Sequence, residues 1–120
     1  MVSQPGSARQ HQAASSALEI PTRDLDKLTD GLCDALLTAR TREEMRSLLL
    51  DLCTPAEIRS LAERWHVARL LDATDLSYRE ISEQTGVSTT TIVRVGRFLR
   101  QEPNHGYQRA LSRLRGSRAE

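Results

Sequence analysis

The chain has 120 residues, 38% of them hydrophobic, four aromatic rings (Trp65, Tyr78, Phe98 and Tyr107) and a formal net charge of +1. That length suits one domain, and no apolar run is long enough to span a bilayer, which excludes a transmembrane helix. The hydrophobic share is low for a self-sufficient core of this size, so part of the chain is expected to stay disordered or to complete its core only in an oligomer. Leucine, alanine and arginine dominate, and that composition favours helix over sheet.

Residues 1–20 are rich in Ser, Gln and Ala, include Pro5 and Gly6, and read as a disordered arm that carries Arg9 and His11. The arm has no apolar h-region, so no signal peptide is expected and a cytoplasmic location is. From Thr22 onward Leu25, Leu28, Leu32, Leu36 and Ala39 fall on one face of a helix. "TREE" at 41–44 is a capping box in which Thr41 caps the helix start and Glu44 reaches back to the Thr41 N–H. Met45, Leu48, Leu49 and Leu52 follow as its apolar stripe. "TPAE" at 54–57 is a second box, with Pro55 at the first helical position, where a missing N–H costs little. The helix it opens is long, to about Asp72, with Ile58, Leu61, Ala62, Trp65, Ala68 and Leu71 on one side. Trp65 belongs to that stripe and reads as core or subunit interface. Cys33 and Cys53 lie far apart without metal-ligand spacing and read as buried free thiols.

The next stretch, "SYREISEQTGVSTTTIVRVGRFL" at 77–99, has the form of a helix-turn-helix. "SYRE" is a third capping box. Gly86 sits where the turn needs a positive φ, which glycine adopts without steric cost. Ser82 is small enough for the second helix to cross closely, and Ile81, Val87, Ile92 and Val95 are spaced to bury the inner faces. Ser88 can cap the second helix. Thr89, Thr90, Thr91 and Arg94 then lie on its first turns, where a recognition helix meets base edges. Threonines offer hydroxyls to bases or phosphates and methyls to thymine. They are poor helix formers, so "STTT" costs propensity that a purely structural surface would avoid. Arg79 on the first helix can reach a guanine or a phosphate. The DNA-facing set is therefore Arg79, Ser82, Ser88, Thr89, Thr90, Thr91 and Arg94. Beyond Pro103 and Gly106, "YQRALSRLR" gives a short terminal helix and residues 116–120 a flexible tail.

Charge is distributed unevenly. Residues 1–76 hold nine Lys/Arg against twelve Asp/Glu, a balance of −3, and residues 77–120 hold eight Arg against four Glu, a balance of +4. A phosphate-facing surface needs that sign. No nucleophile with a spaced base, paired histidine cluster or phosphate loop points to an enzyme, and His66 and His105 have no ligand-spaced partners. No cofactor or metal is expected.

The segments "CTPAEIRSLAERWHVARLL" and "LSYREISEQTGVSTTTIVR" resemble the core of the Trp repressor. "LCDALLTARTREEMRSLLLDLCTPAEIRSLAERW", "ISEQTGVSTTTIVRVGRFL" and "HGY" resemble more closely the shorter YerC/YecD family of Trp-repressor-related proteins. The resemblance covers roughly residues 22–110. It implies an all-α, intertwined helical homodimer with a helix-turn-helix head, a domain over 21–115, and sequence-specific binding to a palindromic operator as a transcriptional regulator, in the sense of a repressor. The apolar stripes on 22–53 and 55–72, more than one small helix-turn-helix needs, agree with a dimer.

In the repressor, two arginines embrace the tryptophan effector, and the resemblance places Arg64 and Arg94 there, with Thr54 beside them. An arginine pair can hold a carboxylate bidentately. Val95 and Phe98 stand where the repressor has glycine and serine, filling the space of an indole, so tryptophan is not expected as the effector. A different small molecule remains open. So does a plain structural role, with Arg64 paired to Glu63 or Glu57 and Arg94 on a phosphate. Two other functions stand beside the regulator: a protein-interaction module, which would show more exposed Leu or Met on the outer face, and a DNA-binding domain of the replication-initiator type.

Overall fold

The structure, a computed structural model, describes Pro21 and residues 23–119; the expected N-terminal arm lies outside them. Six helices follow in order: α1 (Leu25–Leu37), α2 (Arg42–Leu52), α3 (Pro55–Ala73), α4 (Tyr78–Thr85), α5 (Thr89–Arg100) and α6 (Gly106–Ala119). Among the described residues there is no strand, and the fold class is all-α. No described helix is long and apolar enough to cross a membrane.

The chain divides into two units at Leu49 and Leu50. The first holds α1 and most of α2. Asp24 caps α1 by accepting from the Lys27 N–H. Thr41 accepts from the Glu44 N–H at 3.1 Å, but the Glu44 carboxylate takes the Arg40 N–H at 2.9 Å instead of the expected Thr41 N–H. The side chain closes its ring one residue further back, satisfying an earlier donor. Neither helix buries a single residue within the chain, and Leu25 and Leu37 are 69% and 81% exposed. Cys33 shares this exposure and Cys53 is half-buried, so the thiols are free but not buried as expected.

The second unit contains the core. Thr54 and Glu57 close a complete capping box at the start of α3, with Pro55 in its first turn. The helix ends where the Thr74 hydroxyl turns back to the Leu70 carbonyl at 2.6 Å. α3 packs against α5 and α6, and α5 also packs against α4 and α6. Val67, Ala68 and Leu71 of α3 meet Ile81 of α4, Val87 of the turn, Ile92, Val95 and Leu99 of α5 and Leu111 of α6 in one cluster. Each fully buried aliphatic side chain there contributes roughly 1.5–3 kcal/mol. Polar ties hold α6 in place: Arg115 pairs with Asp72 of α3, and Gln108 Nε2 donates to the Leu99 carbonyl at 2.6 Å. α6 continues through Ala119, so most of the segment expected as a flexible tail from 116 is helical.

Candidate nucleic-acid interface

The pair α4–α5 is built from local rules. Ser77 and Glu80 form a complete capping box at the start of α4. The Ser77 backbone N–H and then its hydroxyl hold the Glu80 carboxyl below its ordinary pKa. α4 ends at Gly86, whose φ of 78° is left-handed. The turn is then pinned twice: Thr85 Oγ1 accepts from the Val87 N–H at 3.1 Å, and Ser82 Oγ donates to the Val87 carbonyl at 2.7 Å. Ser88 opens α5 by accepting from the Thr91 N–H at 3.2 Å.

Packing fixes the direction of α5. Ile81, Val87, Ile92 and Val95 are all at most 4% exposed, as the pattern around Gly86 required. Gly96 is also buried, under the ring of Tyr78: a Cβ built there would clash with the Tyr78 hydroxyl and stand 3.1 Å from its Cζ. The close crossing of α4 and α5 thus depends on Gly96, which the sequence pattern alone did not single out.

With that face buried, the opposite face of α5 is open. Thr89 and Thr90 in the first turn are exposed, as is Arg94 one turn on. Arg79, at the start of α4, is exposed and donates from Nε to Glu83 Oε1 at 3.1 Å. Other expected members of the set sit elsewhere. Ser82 is half-buried with its hydroxyl committed to the turn, so it is removed from the outer face; a small hydroxyl four residues before Gly86 is where a turn carbonyl needs a donor. Ser88 and Thr91 bond to one another at 3.0 Å as part of the cap, with Thr91 half-buried. Two residues outside the expected set join the outer face: Val93, 54% exposed, and Arg97. The signal for both was their spacing, four residues after Thr89 and four after Val93 on the same helical row.

The arginines of this face converge on one ring. The guanidinium carbons of Arg94 and Arg97 lie 4.4 and 5.0 Å from the centroid of Phe98. Arg97 Nε also approaches Glu102 at 4.0 Å.

Of the five residues expected to form an effector pocket, three are brought together within the chain and two, Thr54 and Arg64, are not among them. Arg94, Val95 and Phe98 line a cavity of about 290 Å³ with Asn104, Gly106 and Tyr107. Thr54 is occupied as the cap of α3, and neither it nor the half-buried Arg64 lines that cavity. The alternative pairing of Arg64 with Glu63 or Glu57 is absent among the described residues. Val95 is 1% exposed and belongs to the core as much as to the cavity wall. Among the described residues no group of three or more His, Cys, Asp or Glu is placed to hold a metal.

Residues 27–115 match the family model described as Trp repressor protein. An uncharacterized protein, YerC of Bacillus subtilis (strain 168), is 40% identical over 100 residues, which is 80% of this chain and 94% of the relative. A crystal structure of a TrpR-like protein from Eubacterium eligens ATCC 27750 shares 39% identity and superposes with a TM-score of 0.67 over 73% of this chain and 89% of its own. A Trp-repressor candidate from Staphylococcus aureus, also a crystal structure, shares 39% identity with a TM-score of 0.68 over 74% and 87% of the two chains.

Proposed function

The chain belongs to the Trp repressor family, and from that premise we propose that it is a sequence-specific DNA-binding transcriptional regulator that presents α5 to the major groove. One observation carries the reading. α5 buries Ile92, Val95, Gly96 and Leu99 and turns outward a face of threonines, Val93 and arginines with no carboxylate of its own. A major groove is flanked by phosphates and admits one helix. A helix with this division of faces, fixed to a core on one side, has the charge and shape to enter it. Arg79 on α4 extends the cationic rim. No step of this role requires catalysis, a cofactor or a metal.

The working unit we propose is a homodimer. α1 carries Leu25, Leu28, Leu32 and Leu37, all 37% or more exposed in the single chain, and an amphipathic helix left open in this way gains its stability from a partner. Two α5 helices related by a two-fold axis would address half-sites of a palindrome about 34 Å apart. Tryptophan is not part of this proposal, because the resemblance places the larger Val95 and Phe98 where the Trp repressor has glycine and serine, which narrows the room for its ring.

The test is selection of bound duplexes from a random pool, with and without a mixture of amino acids, followed by a salt titration of the selected site. The expected result is a palindrome bound with an affinity that falls linearly on a logarithmic salt axis, with a slope of about −0.9 per neutralised phosphate. No enrichment and no salt slope would remove the reading. Enrichment that appears only with an amino acid present would identify the effector class.

A further inference from the structure

We propose that α5 reads thymine methyl groups, with Val93 as the principal apolar contact, and that Phe98 draws Arg94 and Arg97 aside to meet phosphates. This rests on the DNA-binding reading above and specifies what the helix reads.

Two separate observations lead to it. The first is Val93 itself, 54% exposed on a helix whose other large aliphatic residues, Ile92, Val95 and Leu99, are at most 6% exposed. A β-branched side chain costs helix propensity and gains little from burial when it stands in water. Val93 lies three and four residues beyond Thr90 and Thr89, so the three side chains are neighbours on the helix surface. Together they form a neutral patch that carries methyl groups over the first turns of α5. Among the major-groove edges of the four bases only thymine carries an apolar group that projects into the groove, the C5-methyl; cytosine has a bare C5–H there, and the remaining positions are donors or acceptors. Valine can satisfy neither a donor nor an acceptor. Set against a guanine or cytosine edge it would leave those groups dry and unpaired, which is costly, whereas against the methyl it completes an apolar contact.

The second observation concerns the arginines. An arginine on a recognition helix ordinarily reads guanine with a bidentate pair of hydrogen bonds. Here both guanidinium groups are gathered on the Phe98 ring, at 4.4 and 5.0 Å from its centroid, and Arg97 is further drawn toward Glu102. Phe98 lies roughly two-fifths of a turn around the helix from Val93, and although Arg97 shares Val93's row one turn on, its guanidinium is held at that ring, so the positive charge is collected beside the neutral patch. A groove-reading helix divided in this way places its methyl groups over base edges and its cations toward the flanking backbone.

The experiment replaces each thymine of the selected duplex in turn by deoxyuridine, which removes the methyl and leaves base pairing intact. At one or more positions per half-site, wild-type affinity should fall roughly fourfold, the transfer free energy of one buried methyl-sized group. Val93→Ser should bind both duplexes nearly equally and Val93→Ala should keep only part of the difference, with circular dichroism spectra unchanged because the site is exposed. Arg94→Ala and Arg97→Ala should weaken binding to the thymine and deoxyuridine duplexes by the same factor and flatten the salt slope. Indifference to deoxyuridine at every position, a methyl effect that survives in both Val93 variants, or a selected half-site without thymine overturns the inference while leaving DNA binding standing. Failure to bind any duplex removes the DNA-binding reading, and this inference with it.

Discussion

Gly96→Ala tests the geometry on which the recognition face depends. In an isolated helix the change would stabilise by about 0.8–1.0 kcal/mol, the difference in helix propensity between glycine and alanine. In this chain the new methyl meets the Tyr78 hydroxyl at clash distance, with Tyr78 Cζ at 3.1 Å and Leu71 Cδ1 at 3.8 Å. The hydroxyl is the far end of its side chain, but it is carried on a rigid ring that is itself half-buried against the core, so the ring or α5 must shift. Overpacking of this kind costs about 1–3 kcal/mol. The clash therefore outweighs the propensity gain, and a net loss of about 1 kcal/mol is expected, a drop of roughly 4–8 °C in Tm for a domain of this size. Tyr78→Phe removes the atom in closest conflict. In that background Gly96→Ala should cost less or become neutral, giving a coupling between two residues distant in sequence. Thermal melts of the four proteins supply the measurement. A Gly96→Ala protein more stable than wild type, or a cost unchanged by Tyr78→Phe, would refute the claim that Tyr78 sets the approach of α4 to α5.

Three further outcomes are expected. Ser77→Ala removes one of the two groups that hold the Glu80 carboxyl below its ordinary pKa, the other being the Ser77 backbone N–H, so the carboxyl should titrate closer to its usual range by NMR and the protein should lose about 1 kcal/mol as a cap is lost. Because the folded-state pKa is the lower one, the Glu80 contribution is present above the unfolded carboxylate pKa and fades as pH falls through the folded value, and Ser77→Ala should reduce this acid-side dependence in urea titrations. Calorimetric titration with L-tryptophan should show no binding to the wild-type protein, whereas Val95→Gly with Phe98→Ser should open the cavity at a cost of a few kcal/mol in stability, about what buried large-to-small changes cost; micromolar binding by the wild type would contradict the reading. Replacing Leu36 and Leu48 by Lys should abolish dimerisation by sedimentation and lower the helix content by circular dichroism, since α1 and α2 bury no residue within the chain and the α3–α6 core is built without them; a dimer that persists would contradict the proposed homodimer.

Much of the head was legible because its rules are local. A glycine that needs positive φ, the capping box of Ser77 and Glu80 and four apolar positions around Gly86 are set by sequence spacing alone, and Gly86, Ile81, Val87, Ile92 and Val95 all take the expected places. What was not legible depends on which way short polar side chains turn. Ser82, Thr91 and Thr89 are similar in chemistry, yet Ser82 and Thr91 spend their hydroxyls on the turn and the cap while Thr89 stays exposed. Glu44 chose the Arg40 N–H over that of Thr41 for the same reason: several orphan donors at a helix start lie within reach of one carboxylate. The role of Gly96 was hidden because its partner, Tyr78, belongs to another helix.

The effector question turns on which of two effects is larger at Phe98. The stacking of Arg94 and Arg97 on its ring is partly exposed, and such contacts are worth about 0.5–1 kcal/mol each. A ligand with a carboxylate and an aromatic ring could replace an interaction of that size, so the stacking alone does not close the site. Volume does more. Val95 is 1% exposed, and displacing a packed core side chain carries the overpacking cost of the interior. The cavity that Arg94, Val95 and Phe98 do line is about 290 Å³ and is completed by Asn104, Gly106 and Tyr107, with neither Arg64 nor Thr54 in its wall. Within one chain, then, Arg94 is the only one of the two arginines of the expected effector pocket that lines this cavity. Arg94 rests on the Phe98 ring of its own helix without a ligand to hold it there, which supports the proposal that DNA binding is independent of tryptophan.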